Sequence, residues 1–253
     1  MTDTPIPAAT LVIFRERSDG APPDILMVER AKAMVFAGGA WVFPGGRIDS
    51  GDHALAANLH GDGDRDERAA RIAAVRETIE EVGLPIGLTP VPDAVTLTCL
   101  RTALHAGTPF AAALAAAGLS LSIDTLVPFA RWLPDHPGMR IFDTRFYLVR
   151  LPDDAPDAVV DATENTRLRW ASAGHVLDLA ERGEAFVIFP TRRNLERLAR
   201  FDSFAAAVAD AAAHPVRTIT PFVAERDGQR QLCIPDDLGY PVTAEPIGGA
   251  LRS

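Results

Sequence analysis

Cysteine, positive charge and long apolar runs are all scarce in this chain. Only two cysteines, Cys99 and Cys233, occur among 253 residues, so the sequence predicts neither a disulfide framework nor a zinc site. The formal net charge of −9 disfavours DNA and RNA, whose phosphates call for clustered Lys and Arg. No apolar run reaches the length of a membrane span, and the start, MTDTPIPAATLVIF, lacks the basic segment of a signal peptide. We therefore expect a cytoplasmic protein that binds neither nucleic acid nor membrane.

What is present is the composition of a globular protein, with 47% hydrophobic and 23% charged residues. Patterns typical of strands occur at 9–15, 24–29, 40–44, 126–132, 141–150, 167–170, 216–225 and 230–234. Patterns typical of helices occur at 66–82, 91–120, 172–182, 191–200 and 202–213, with one further helical turn around 54–59. Strands and helices do not alternate regularly, which predicts an α+β fold with helices packed on mixed sheets.

The helix predicted at 66–82 ends with three glutamates in five positions, within the stretch AVRETIEEVGL at 74–84. Glu77, Glu80 and Glu81 lie in its last two turns, where the helix dipole disfavours negative charge and like charges four apart repel. Arg76 is the nearest cation. One interpretation is a solvated acidic face. The other is a hard divalent cation, Mg²⁺ or Mn²⁺, held by the carboxylates, and it explains the pattern better.

A helical wheel divides this helix into two faces. The apolar stripe consists of Ile72, Val75, Ile79 and Val82. The glutamates fall nearly opposite, with Arg76 on the border. Ala69 and Ala73 lie beside the carboxylates, so we expect open space there. Upstream, the segment PGG at 44–46 ends a strand, and such glycines let the backbone approach a ligand or metal.

These residues together resemble the signature of the Nudix hydrolases. That signature runs Gly, five residues, Glu, seven residues, Arg-Glu, an apolar residue, any residue, Glu-Glu, any residue and Gly. The stretch RETIEEVGL at 76–84 matches its second half, with Thr78 in the apolar slot. The first half begins at Gly46, but Asp52 stands where the signature has Glu, and the gap from Asp52 to Arg76 far exceeds seven residues. Whether Asp52 replaces the missing Glu stays open.

The Nudix proteins similar to the mammalian peroxisomal coenzyme A diphosphatase carry an insertion at this point of the signature, and this chain resembles that subgroup. The segments FDTRFYLV at 142–149 and FPTRRNLERL at 189–198 resemble that subgroup as well, and so does the spacing of Glu164 and Trp170. The resemblance implies the Nudix fold, an α/β/α sandwich with a central mixed sheet. Residues 1–200 would form the hydrolase domain, with a helical insertion at about 85–125. Residues 201–253 would form a helix and strand extension packed on the same domain.

The resemblance also implies a metal site. Glu77, Glu80 and Glu81 would bind one or more Mg²⁺ or Mn²⁺ ions, and the carbonyl of Gly45 would be a further ligand. Glu77 or a neighbour would help to activate the attacking water. Arg76 would orient a glutamate through a charge-assisted hydrogen bond.

Four more residues are candidates for the site. Glu164 is a candidate extra ligand or general base, with a solvated loop acid as the alternative. Arg30, Arg47 and Arg145 are candidates to bind substrate phosphates, because guanidinium groups match phosphate oxygens. Surface or structural roles are the alternative for each arginine.

The reaction that the resemblance implies is metal-dependent hydrolysis of a phosphoanhydride in a nucleoside diphosphate linked to another group. Coenzyme A or an acyl-coenzyme A is the favoured substrate, and ADP-ribose or another nucleotide sugar is the competitor. A non-catalytic module that senses a nucleotide is the alternative from another class. The expected partner is thus a small-molecule diphosphate, and a homodimer is left open.

Overall fold

The computed structural model describes residues 4–34, 37–59, 63–134, 141–226 and 228–250. The strands are β1 (Ile6–Arg15), β2 (Asp24–Arg30), β3 (Trp41–Val42), β4 (Gly45–Arg47), β5 (Leu88–Thr89), β6 (Ser120–Leu121), β7 (Val127–Trp132), β8 (Phe142–Arg150), β9 (Asn165–Ala171), β10 (Thr218–Ile219), β11 (Phe222–Arg226), β12 (Gln229–Cys233) and β13 (Ala244–Pro246). The helices are α1 (Ser50–Ala56), α2 (Arg65–Val82), α3 (Ala94–His105), α4 (Phe110–Ala117), α5 (Ala173–Glu181), α6 (Phe189–Leu198), α7 (Phe204–Ala213) and α8 (Ile247–Ala250). Residues 251–253, the end of the expected extension, lie outside the described ranges.

The main sheet is mixed, as expected, and has the order β10-β7-β8-β1-β2-β3. β1 lies at its centre and pairs in parallel with β8 along its length. The other edge of β1 is divided, because residues 8–10 pair with β4 and residues 14–15 pair with β2. β4 therefore diverges from β2 along the same strand. This divergence brings Gly45 and Gly46 against α2.

Two apolar cores lie on opposite faces of the sheet and give the expected layers of helix, sheet and helix. The first core joins the sheet to α1, α2, α3 and α4. The second joins it to α5, α6 and α7. The stripe predicted for α2 is fully buried in the first core, at Ile72, Val75, Ile79 and Val82. Burial of this stripe is the main force that holds α2 on the sheet.

Both ends of α2 follow their sequence signals. Asp64 caps the N-terminus, since its side chain accepts a hydrogen bond from the Glu67 N–H. Gly83 ends the helix in the left-handed conformation that glycine adopts without strain. The expectation of open space beside the carboxylates was wrong, because Ala69 and Ala73 are fully buried in the same core as Ala56 of α1. The small side chains serve to let α1 pack closely on α2.

The segment between α2 and β7 is mainly helical, as predicted, and its helices α3 and α4 pack against the first core. The C-terminal segment forms a separate three-stranded sheet, β11-β12-β13. Two contacts attach it to α6: Tyr240 donates to Asn194 at 2.7 Å, and Arg193 donates to Glu245 at 2.8 Å. No helix in the described ranges combines the length and the apolar character that a bilayer crossing needs.

Candidate active site

The guanidinium of Arg76 uses all five of its N–H groups within the protein. Nε and Nη2 donate to the two carboxylate oxygens of Asp52 at 3.0 and 2.9 Å. Nη1 donates to Glu77 at 2.9 Å and to Glu80 at 3.0 Å. Nη2 also donates to the Arg47 carbonyl at 2.9 Å. Arg76 therefore fixes the end of β4, α1 and two glutamates of α2 relative to each other, which is an orienting role.

Asp52 lies in the first turn of α1, and its carboxylate is buried. Besides Arg76, it accepts a hydrogen bond from the backbone N–H of Asp49 at 2.8 Å, which closes a capping box. Asp52 and Arg76 thus connect α1 directly to α2, independently of the chain between the two helices. The sequence left open whether Asp52 replaces the missing glutamate, and the structure places Asp52 opposite the signature's Arg76.

The glycines of β4 contact the glutamates directly. The backbone N–H of Gly45 donates to Glu81 Oε2 at 2.9 Å. The carboxylate of Glu77 lies over Gly46 so closely that an added Cβ would sit 2.3 Å from Glu77 Cδ. Any side chain at position 46 would therefore displace this carboxylate. The structure brings together the strand end and the helix end that the sequence singled out.

Desolvation shifts the pKa values of two of the glutamates, the partly buried Glu77 and the buried Glu81. Burial raises the pKa of Glu77 to about 7, although the charge of Arg76 opposes this rise. Burial raises the pKa of Glu81 to about 8, and repulsion from Glu77 adds to it. Two desolvated carboxyls side by side resist ionisation, which is the situation that a bound divalent ion relieves.

The C-terminal end of α2 is held by donors from other segments. Arg101 of α3 donates from Nε to the Glu80 carbonyl at 2.8 Å and from Nη2 to the Glu81 carbonyl at 2.9 Å. The backbone N–H of Asp161 also donates to the Glu81 carbonyl, at 2.9 Å. A cation at this end offsets the helix dipole that makes glutamates unfavourable there. The helical segment after α2 thus supports the acidic turn.

The residue beside Glu164 lies closer to the carboxylates than Glu164 itself. The side chain of Glu164 is exposed, whereas Asn165 is fully buried at the start of β9. The amide of Asn165 lowers the pKa of Glu81 against the larger effect of burial. Among the described residues, neither Nδ2 nor Oδ1 of Asn165 has a hydrogen-bond partner within bonding distance and angle. The amide therefore lies near Glu81 without a well-formed hydrogen bond to it. The sequence predicted Glu164 because it is acidic, whereas Asn165 carries no charge that would have indicated its burial.

The three candidate arginines lie in different places. Arg30 is half-buried, its Nε has no hydrogen-bond partner among the described residues, and its charge acts on Glu81. Arg47 is exposed and contributes its backbone carbonyl to Arg76. Arg145 forms an ion pair with Glu67 near the N-terminal end of α2. Only Arg30 and Arg47 therefore lie at the glutamate cluster.

The donor set fits a hard divalent ion. Glu77, Glu80 and Glu81 supply carboxylate oxygens next to the glycine backbone of β4, and oxygen is the ligand that Mg²⁺ and Mn²⁺ prefer. In the described residues, no three acidic, His or Cys side chains already converge as a metal site. Arg76 already binds Glu80 and one oxygen of Glu77. An ion would have to be bound with carbonyl or water oxygens as well.

Comparison with known proteins adds to this geometry. A family model described as the NUDIX domain matches residues 4–98. The NUDIX hydrolase from Alicyclobacillus acidocaldarius is 27% identical, with 83% of this chain and 97% of that chain covered and a TM-score of 0.71. The chain has the Nudix fold. The matched residues 4–98 include β4 and α2, which carry the glycines and the glutamates described above.

More distant Nudix structures are also similar. The MutT NUDIX hydrolase from Burkholderia pseudomallei is 16% identical, with 77% and 98% of the chains covered and a TM-score of 0.42. The NUDIX domain of Shewanella oneidensis NrtR, complexed with ADP ribose, is 14% identical, with 79% and 88% covered and a TM-score of 0.42. No curated protein matches. The family match and the Alicyclobacillus structure support a Nudix pyrophosphohydrolase, and Nudix hydrolases generally use divalent metal ions.

Proposed function

We propose that this protein hydrolyses the phosphoanhydride of a nucleoside diphosphate linked to another group, with Mg²⁺ or Mn²⁺ at the Nudix box. The observation that carries the proposal is the close placement of Glu77 and Glu81 against Gly46 and Gly45. Residues 1–200 form the hydrolase domain in this proposal, with the helical insertion at about 85–125. Residues 201–253 form its extension.

Each residue has a role in the proposed site. Glu77, Glu80 and Glu81, with the carbonyl of Gly45, hold the metal. Arg76 orients Glu77 through Oε1, which leaves Oε2 to accept a proton from the attacking water.

A metal ion would supply the positive charge that an acidic protein needs in order to bind a diphosphate. A divalent ion held by Glu77, Glu80 and Glu81 would supply positive charge for the diphosphate oxygens and would lower the pKa of a water for attack on phosphorus. The water oxygen forms a bond to one phosphorus, and the bridging P–O bond breaks. Both products then carry a phosphate group. Arg30, half-buried beside Glu81, is placed to bind a phosphate oxygen.

Coenzyme A or an acyl-coenzyme A is the first choice of substrate, and ADP-ribose or another nucleotide sugar is the second. The support is the resemblance of residues 142–149, which form most of β8 and carry Arg145. The other resembling segment, 189–198, forms α6 in the second core, so it packs on the sheet face opposite α2. That segment therefore says little about the substrate.

One panel assay tests the function. The protein is incubated with Mg²⁺ or Mn²⁺ and coenzyme A esters, ADP-ribose, NADH or dinucleoside polyphosphates, and diphosphate cleavage is followed. We expect turnover that is lost in Glu81→Gln and Glu77→Gln, while exposed Glu225→Gln retains it. Tight binding without turnover by the unaltered protein would instead identify a nucleotide sensor. Full activity in both glutamine variants would refute the metal assignment.

A further inference from the structure

A groove of about 390 Å³ lies on the α2 face of the sheet, beside the N-terminal half of α2. β7, β8 and the start of β10 line it, and so do Glu67 and Arg71 of α2. Glu67 precedes Glu77 by ten residues, which corresponds to about 15 Å along the helix. The groove is therefore separate from the carboxylate cluster of the Nudix box.

A buried hydroxyl without a partner lies in the groove wall. Tyr147 is only 1% exposed, and its hydroxyl completes no hydrogen bond in the described part of the chain. Glu67 is close enough to act on this hydroxyl electrostatically, but not in a geometry that satisfies it. Burial raises the pKa of Tyr147, so the phenol keeps its proton and is a donor. A buried donor without an acceptor is costly, and a ligand oxygen would remove that cost.

Arg145, two residues before Tyr147 on β8, has N–H groups that are available to a ligand. Its side chain is 14% exposed, and its ion pair with Glu67 is long, at 3.5 Å. Within the described residues its guanidinium makes no hydrogen bond, whereas a guanidinium has five N–H groups to offer. Because residues i and i+2 of a strand share one face, Arg145 and Tyr147 present their donors to the same groove.

The charges around the groove favour an anion. Three guanidinium groups line it, those of Arg71, Arg131 and Arg145. Two partly buried carboxylates pair with them: Glu67 lies 3.2 Å from Arg71, and Asp143 accepts two hydrogen bonds from Arg131. The remaining acid of the lining, Asp64, is exposed at the rim, where its charge is screened. The inner groove therefore carries one excess positive charge.

We propose that this groove binds a phosphate group, with the Tyr147 hydroxyl and the Arg145 guanidinium as donors and with Arg71 and Arg131 supplying charge. The group is either a phosphate monoester of the substrate, remote from its diphosphate, or a separate small anion. Both sources present the same oxygens, and both give Tyr147 the acceptor that the protein does not supply.

Binding of inorganic phosphate to the full chain in EDTA tests the site, followed by ³¹P NMR titration. Without a divalent ion the glutamate cluster repels phosphate, so saturable binding reports the groove. We expect Tyr147→Phe and Arg145→Met each to weaken the affinity about tenfold, as expected for loss of one charge-assisted or buried hydrogen bond. Arg150→Gln, on the same strand but exposed and paired with Asp153, should bind like the unaltered protein. Absence of saturable binding, or equal affinity in all three variants, would overturn the proposal.

A second arm identifies the source of the phosphate. KM is compared for substrate pairs that differ by one phosphate monoester, such as NADPH with NADH and coenzyme A with its dephospho form. A rise in KM confined to the monoester substrate in Arg145→Met places the group on the substrate, and an unchanged KM with weakened phosphate binding indicates a separate anion. The EDTA titration needs no turnover, so it stands or fails independently of the proposed hydrolysis.

Discussion

Arg76 binds Asp52 through two hydrogen bonds, of 3.0 and 2.9 Å, across 24 positions of the chain. Both groups are buried, and the contact joins α1 to the helix that carries the glutamates. The contact therefore holds α1 against α2 beside the glutamates, although the matching signature is interrupted in sequence.

Removing Asp52 should therefore destabilise the fold strongly. Asp52→Ala leaves the buried charge of Arg76 without its bidentate partner, a change that costs about 3–5 kcal/mol. Urea unfolding of the variant, followed by circular dichroism, measures this loss. Asp154→Ala, at an exposed position, is the control and should change stability by less than about 0.5 kcal/mol. Equal stabilities of the two variants would mean that the contact contributes nothing.

A methyl group at position 46 should abolish activity without unfolding the protein. In Gly46→Ala the new Cβ would lie 2.3 Å from Glu77 Cδ, so the carboxylate must move. A displacement of about 1 Å in a catalytic group can cost about 100-fold, and we expect at least that loss in kcat/KM. Gly51→Ala is a matched control, because its Cβ meets no atom within 4 Å. Normal turnover by Gly46→Ala would contradict the placement of Glu77.

Stability in the presence of a chelator should fall as pH rises. The pKa values of Glu77 and Glu81, about 7 and about 8, exceed the ordinary value of 4.5. From pH 4.5 up to these raised values, the folded state therefore binds more protons than the unfolded state. The contribution is fully present below about pH 4.5 and is lost as pH rises through about 8, a change on the order of a few kcal/mol.

The measurement is thermal unfolding from pH 5 to 8 with EDTA, repeated with excess Mn²⁺. We expect Tm to fall with pH in EDTA and Mn²⁺ to restore it at the alkaline end. Glu81→Gln should make the EDTA profile shallower, because one of the two shifted carboxyls no longer ionises while Glu77 still does. A profile that is the same with and without Mn²⁺ would argue against a metal at these glutamates.

Arg101→Met should loosen the last turn of α2. The variant keeps an apolar stem but loses both hydrogen bonds to the carbonyls of Glu80 and Glu81 and the charge that offsets the dipole. We expect a loss of about 2 kcal/mol in the free energy of unfolding. Hydrogen exchange at the amides of the last turn should accelerate as well. Arg230→Met, at an exposed position of β12, should show neither effect.

The sequence was most informative where neighbours along the chain decide the structure. The two faces of α2 and its end at Gly83 follow from a helical period and a left-handed glycine, and both are confirmed. β4 was not predicted, because glycines have low strand propensity and its pairing depends on β1. The open space expected beside Ala69 was wrong, because packing of α1 on α2 is a tertiary contact.

The candidate site shows the same division. The three glutamates and the glycine turn were found from spacing and charge, and the structure places them together. The Arg101 contact and the burial of Asn165 depend on segments that are distant in sequence, so no local pattern announces them. Arg145 was a candidate to bind substrate phosphates beside the glutamates; its ion pair is with Glu67 in the first turn of α2, and its role stays a prediction.

The contact between Arg76 and Asp52 also has a consequence for protein engineering and for evolution. Because it fixes both ends of the connection between α1 and α2, the length of that connection is not transmitted to the glutamates. Lengthening an already closed loop costs only about 0.6 kcal/mol per doubling. We therefore expect residues inserted between α1 and α2 to leave the positions of the glutamates unchanged, which would make room for a peptide tag or a fluorophore and for differences in length between related chains.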